Sequence, residues 1–163
     1  EFLRAIELFT KSDIKFNGTR NLVISDTNSA SSIKYFFADK SLIVHPTKGI
    51  SMPDKYVTFT LKNNSLADLN KGILTLNLPD IAITGDGKNI TIVATDKKNK
   101  TSNEYSANIG TTDKKFSAYF KAENLKIIPD DYDVAISTKK ISHFVNRSKP
   151  VQYWIALEPD SEF

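Results

Sequence analysis

Val151-Gln152-Tyr153-Trp154-Ile155-Ala156-Leu157-Glu158-Pro159-Asp160, near the end of the chain, repeats in outline a stretch near its start, Ser32-Ile33-Lys34-Tyr35-Phe36-Phe37-Ala38-Asp39. Each carries a basic or amide residue, then Tyr, two large apolar residues and Ala, with an acid close behind. What precedes them matches too. Lys121–Ile127 reads as a short helix followed by alternating runs that close on the later stretch. Glu1–Phe9, with apolar residues at Phe2, Leu3, Ile6 and Phe9, reads as a helix followed by runs that close on the earlier one. A helix-plus-sheet unit used twice predicts two similar domains, with the chain opening inside the first copy.

Between these ends the alternation continues. Ile14–Phe16 and Leu22–Ile24 are strand candidates joined by a turn at Asn17-Gly18, and Ile33–Ala38 is a third strand. Tyr56–Leu61 opens the second copy as a strand, and a helix over Ser65–Leu74 follows, capped by Asn63 or Asn64 and burying Leu66, Leu69 and Ile73. Ile81–Thr84 and Ile90–Val93 flank Gly85-Asp86-Gly87-Lys88-Asn89, a hairpin with a glycine-rich turn. Glu104–Ile109, Lys115–Phe120, Val134–Ser137, Ser142–Val145 and Val151–Leu157 complete the predicted strands, and Pro129 ends the helix before the last three. The fold class is therefore α+β, sheet-dominated, with short helices on one face.

Residues 39–55 differ in composition, carrying Pro46, Gly49, Pro53 and the apolar run Leu42-Ile43-Val44. They read as a connector between residues 1–38, the closing portion of a first domain, and residues 56–163, a second one.

The bulk numbers narrow the class. Of 163 residues, 40% are hydrophobic and 25% charged, the balance of a folded globular chain. No apolar run approaches the roughly 20 residues of a membrane helix, and no secretory leader is visible. Cysteine is absent, which excludes disulfides and thiolate chemistry and suits a cytosolic protein. The net charge is only +3, and residues 1–52 hold 7 Lys and Arg against 5 Asp and Glu, so no region is a dense cationic patch.

Catalytic and metal motifs do not assemble. His45 and His143 are far apart and have no Ser or Asp motif beside them. Asp130, Asp131 and Asp133 lack the spacing, glycine and distal Glu of a calcium loop. Gly85-Asp86-Gly87 lacks the ending of a phosphate loop. The expectation is a protein that is not an enzyme and needs no metal or cofactor.

At this point the residues match a known family. Tyr56 through Gly110, with Lys62-Asn63-Asn64-Ser65-Leu66-Ala67-Asp68-Leu69 and Asp80-Ile81-Ala82-Ile83-Thr84, resembles the C-terminal domain of T-even-type phage sliding clamps. Tyr153-Trp154-Ile155-Ala156-Leu157-Glu158-Pro159-Asp160-Ser161 is similar to that family's ending, and Phe2–Phe9 to the second helix of its first domain. The resemblance implies the DNA-clamp fold and a homotrimeric ring around duplex DNA in the host cytoplasm. It implies loading by an ATP-driven clamp loader, and a ring that tethers the replicative polymerase without doing chemistry.

In such rings the helices line the hole. The residues implied to face DNA are Arg4, Lys62, Asn63, Asn70, Lys71, Lys121, Asn124 and Lys126. A partner-peptide pocket is implied between connector and last strand, from Leu42, Ile43, Val44, Ile50 and Met52 with Tyr153, Ala156, Leu157 and Pro159. The acids Glu158, Asp160 and Glu162 are placed to receive a partner's basic residues or to solubilise a free end. The competing reading is a structural or adhesion β-domain of a virion, which neither encircles DNA nor needs basic helix faces.

Overall fold

Period-two alternation builds most of the molecule. The computed structural model describes residues 2–42 and 48–163, except for the side chains of Leu3 and Arg4. Contacts divide the chain into two compact units, Glu1–Gly49 and Ile50–Phe163.

The first unit is a helix, α1 (Phe2–Glu7), followed by three antiparallel strands, β1 (Ser12–Asn17), β2 (Asn21–Asp26) and β3 (Ser32–Phe36), in the order β1-β2-β3. Gly18 takes a positive φ of 62° in the β1–β2 turn, a conformation that costs glycine little. Leu22 and Ile24 on the central strand are buried, and the Phe2 ring lies 5.4 Å from that of Tyr35. A 3₁₀ turn at Lys40–Leu42 follows, where the Asp39 carboxylate accepts from the Ser41 hydroxyl (2.7 Å) and backbone N–H (2.8 Å).

The second unit runs β4 (Val57–Leu61), α2 (Asn63–Leu76), β5 (Asp80–Asp86), β6 (Asn89–Thr95), β7 (Tyr105–Thr111), β8 (Lys115–Lys121), a 3₁₀ turn (Ala122–Leu125), β9 (Tyr132–Ile136), β10 (Ile141–Asn146) and β11 (Gln152–Ala156). Two antiparallel four-stranded sheets result, β11-β10-β9-β4 and β7-β6-β5-β8. A duplication runs inside this unit. A strand, a helical turn and a three-stranded meander occur twice, as β4-α2-β5-β6-β7 and β8-3₁₀-β9-β10-β11. Each copy lends its first strand to the other copy's sheet. That exchange ties the halves into one core: Ile81, Ile83, Ile90, Ile92, Phe116 and Phe120 from one sheet meet Leu61, Tyr132, Val134 and Phe144 from the other, with Leu66 and Leu69 from α2.

Local chemistry explains the turns. In the β5–β6 hairpin the Asp86 carboxylate accepts from the N–H groups of Lys88 (2.8 Å) and Asn89 (2.7 Å), and Gly87 supplies φ 88°. Gly85 is needed for a different reason. A Cβ there would lie 2.5 Å from the Phe116 ring and 2.7 Å from the Lys114 carbonyl oxygen. Because a backbone atom is one of the two obstacles, Gly85→Ala is expected to destabilise the protein by about 2 kcal/mol through overpacking. Thermal unfolding measures this, and an unchanged midpoint would show that the β5–β8 approach is looser than described.

Two expectations need correction. The second helix is not an α-helix over 121–127: β8 continues to Lys121 and only Ala122–Leu125 forms a 3₁₀ turn. The Ala122 N–H is drawn to the Pro79 carbonyl (2.9 Å). Leu125 and Ile127 are both buried, a spacing of two that suits extended chain and that an α-helix would split between opposite sides. The cap of α2 differs as well. Lys62 occupies the cap position and makes no side-chain cap bond, and the Asn64 side chain bonds only to the next N–H. The acceptor comes from 68 residues away: the Asp131 carboxylate receives the Asn63 N–H at 2.8 Å. At the other end Asn77 adopts the left-handed conformation (φ 53°), closing the helix on the Ile73 carbonyl.

Candidate DNA-facing and partner-binding surfaces

One side of α2 is apolar and buried through Leu66 and Leu69, and Ile73 packs on the same core. Lys71 lies on the other side, near Leu74, which is 80% exposed, and Asn63 and half-buried Asn70 flank the apolar stripe at helical spacing. Lys62 flanks this face at the N-terminus of the helix.

Several of these cations already have partners. The Lys62 ammonium is 2.9 Å from the Asp131 carboxylate, and that of Lys71 is 3.2 Å from Asp68. Lys121 is held most firmly: its ammonium lies 2.7 Å from Asp80, which is 1% exposed, and 3.7 Å from Glu158. The buried Asp80 carboxylate raises Lys121 above its ordinary value. So Lys121 ends a strand and supports an internal network. Asn124 and Lys126 are exposed, and Arg4 lies on α1 with its side chain outside the described residues.

The second surface is the outward face of the sheet β11-β10-β9-β4. Here His143 and Trp154 stack with ring centroids 3.8 Å apart and 8° between planes, and His143 Nε2 is 2.7 Å from Gln152 Oε1. His143 and Val145 line a shallow depression of about 340 Å³ with Lys55, Thr58, Thr60 and Asp133. The chain entering β4 is fixed beside it. The Asp54 carboxylate accepts from the Thr138 hydroxyl (2.6 Å) and N–H (3.1 Å), an arrangement that holds it below the usual carboxylate range.

On and just after β11, the residues expected in a pocket divide between the two faces of the strand. Tyr153 and Leu157 belong to the core side of β11, with Tyr153 edge-on to Tyr132 at 6.0 Å and its hydroxyl accepting from the Ile128 N–H. Ala156 and Pro159 are exposed, as are Leu42 and Ile50; Met52 is half-buried. Ile43 and Val44 lie outside the described residues.

The acidic tail is engaged within the protein. Both Asp160 oxygens lie 2.9 Å from the Lys97 ammonium, which lowers the Asp160 carboxyl, and Glu158 sits 3.7 Å from both Lys97 and Lys121. Backbone bonds add to this: Glu158 N–H to Tyr119 O, and Ser117 with Glu162 in both directions. Residues 158–162 thereby cover the outer edge of β8. The three acids of the Pro129 turn separate similarly. Asp130 pairs with Lys149, Asp131 caps α2, and Asp133 accepts from Thr60.

The comparisons agree on one family. Residues 58–159 match the family model described as "gp45 sliding clamp, C terminal". The chain is 31% identical to the sliding clamp of Escherichia phage RB69 over 169 residues, covering 98% of this chain and 72% of that protein. It is 28% identical to the sliding clamp of Vibrio phage KVP40 over 165 residues, covering 97% and 73%. This chain belongs to the gp45 sliding-clamp family. The function that goes with the family is that of a phage DNA-polymerase processivity factor. Among solved structures, a putative DNA polymerase III beta subunit from Eubacterium rectale superposes with a TM-score of 0.51 at 11% identity, over 91% of this chain and 41% of that one. At that identity the likeness concerns the clamp fold alone. The chain spans nearly three quarters of the length of the phage clamps it matches and less than half of that solved chain.

For a clamp, a helix face carrying lysine and amide groups suits DNA held without sequence reading, since phosphate contacts position and base contacts specify. The sequence reading named Tyr153 for the pocket and not Trp154. The signal was available in the strand period: Tyr153 and Trp154 are neighbours and must point to opposite faces. Among the described residues no helix is long and apolar enough to cross a membrane.

Proposed function

We propose that this chain is a subunit of a homotrimeric ring that encircles duplex DNA in the host cytoplasm and tethers the replicative polymerase, without catalysis of its own. The observation that carries the reading is the match along nearly the whole chain to two phage sliding clamps. In this proposal residues 1–38 close a first clamp domain, 39–55 connect, and 56–163 form the second. The α2 face (Lys62, Asn63, Asn70, Lys71), the exposed Asn124 and Lys126, and Arg4 of α1 approach the phosphates. An ATP-driven loader opens the ring, and edge strands such as β3, β7 and β11 pair between subunits around a closed cycle.

The partner surface we propose is the outward sheet face around Trp154, His143, Val145 and Ala156. The chain anchored by Asp54 at Thr138 frames it, and a short apolar peptide fills it. The test is primer extension on a singly primed circle with the phage polymerase, its loader and ATP. Intact clamp should lengthen the products far beyond those of polymerase alone. Products of equal length with and without it would overturn the assignment.

A further inference from the structure

A ring that holds DNA by enclosing it needs contacts weak enough to let it move. Each lysine that settles on a phosphate releases condensed counterions and steepens the salt dependence of binding, with a slope of about −0.9 per contact. Unpaired lysines on α2 would therefore act as brakes. Two of the three basic groups proposed for DNA on and beside α2 and the following 3₁₀ turn are paired, Lys62 with Asp131 and Lys71 with Asp68; Lys126 has no ion-pair partner among the described residues.

Asp131 does more than neutralise Lys62. One of its oxygens accepts from the Asn63 N–H at 2.8 Å and the other from the Lys62 ammonium at 2.9 Å. A helix N-terminus carries partial positive charge and attracts phosphate. The same carboxylate thus quenches both the free end of α2 and the lysine next to it. The Lys71–Asp68 pair spans one turn on the helix surface, its side chains 77% and 55% exposed, so water screens it and it opens readily.

We propose that Asp131 and Asp68 are charge-setting residues of the DNA face, holding Lys62 and Lys71 in pairs that exchange with passing phosphates so that the clamp slides with little electrostatic friction. Each exchange replaces one ion pair by another and leaves the net charge at the face near zero. The inference rests on the DNA-facing assignment made above.

The test is one-dimensional diffusion of loaded, full-length clamp on duplex DNA, followed by single-molecule fluorescence. Asp131→Asn keeps an oxygen for the Asn63 N–H, and Asp68→Asn lies on exposed helix surface, so both variants retain the fold. At low salt, about 50 mM, Asp68→Asn/Asp131→Asn should diffuse several-fold more slowly than wild type. The difference should vanish at about 300 mM, where screening is short-ranged. Adding Lys62→Ala/Lys71→Ala to the double variant should restore wild-type mobility, which a structural defect would not. Asp68→Asn alone should give a smaller slowing of the same sign.

Wild-type diffusion by the carboxylate variants, alongside altered retention by Lys62→Glu/Lys71→Glu, would overturn this inference and leave the DNA-facing assignment standing. No response to charge reversal either would overturn both.

Discussion

Phe144→Ala is expected to lower the unfolding free energy of the second unit by about 4 kcal/mol, from lost burial and the cavity left behind. Phe144 is fully buried on β10, and its ring meets two others edge-on: Phe120 from the opposite sheet at 6.3 Å and 76°, and Tyr132 at 6.3 Å and 72°. Strand exchange makes this trio the junction of the two sheets, since Phe120 lies on β8 and Tyr132 and Phe144 on β9 and β10. Backbone bonds hold the cavity walls from several strands at once, so the site cannot collapse to fill the space. Against a typical total of about 5–15 kcal/mol, such a loss removes a large share of stability. Trp154, the only tryptophan, sits on β11 beside β10 and reports the transition by its fluorescence. A loss below about 1 kcal/mol would show that the aromatic junction is not packed as described.

The second large effect separates two neighbouring residues. Trp154→Ala should weaken binding of a partner's clamp-binding peptide by about 2 kcal/mol, near 30-fold, the loss expected of an aromatic anchor at the centre of a contact. Stability should change little, because the Trp154 ring stacks on His143 on the outward face and is not part of the core. Tyr153→Ala should do the reverse. It removes the contact with Tyr132 at 6.0 Å and should cost about 3 kcal/mol of stability with peptide affinity unchanged in the folded fraction. Titration of labelled peptide at a temperature where both variants are folded, together with denaturation curves, reads both quantities. Equal affinities for Trp154→Ala and wild type would remove this face from the partner surface.

Those two residues also mark where the sequence was legible and where it was not. The strands were readable because their buried residues alternate, as in β6, where Ile90, Ile92 and Ala94 face the core. The β5–β6 hairpin was readable because Asp86 and Gly87 build the turn from within four residues. The same period places Tyr153 and Trp154 on opposite faces, and reading the closing stretch as a motif concealed that. The helix expected at Lys121–Ile127 rested on composition, and the pull of Pro79 on Ala122 and the paired burial of Leu125 and Ile127 overrode it.

Long-range partners were out of reach altogether. Nothing near Lys62 in sequence points to Asp131, and nothing near Lys121 points to Asp80, 41 residues earlier. Those pairings decide which lysines carry uncompensated charge. A list of basic residues on helices could name the face and not its charge. The exchange of β4 and β8 between sheets was hidden for the same reason, because strand order depends on which core each edge completes.

The central claim is topological: the ring holds DNA by enclosing it. Intact protein, its cognate loader and ATP would be incubated with a nicked circular duplex and with the same DNA linearised, and the retained protein counted after gel filtration. The account predicts retention on the circle and loss from the linear form, whose ends let the ring slide off. Equal retention on both would mean ordinary contact binding and would contradict it.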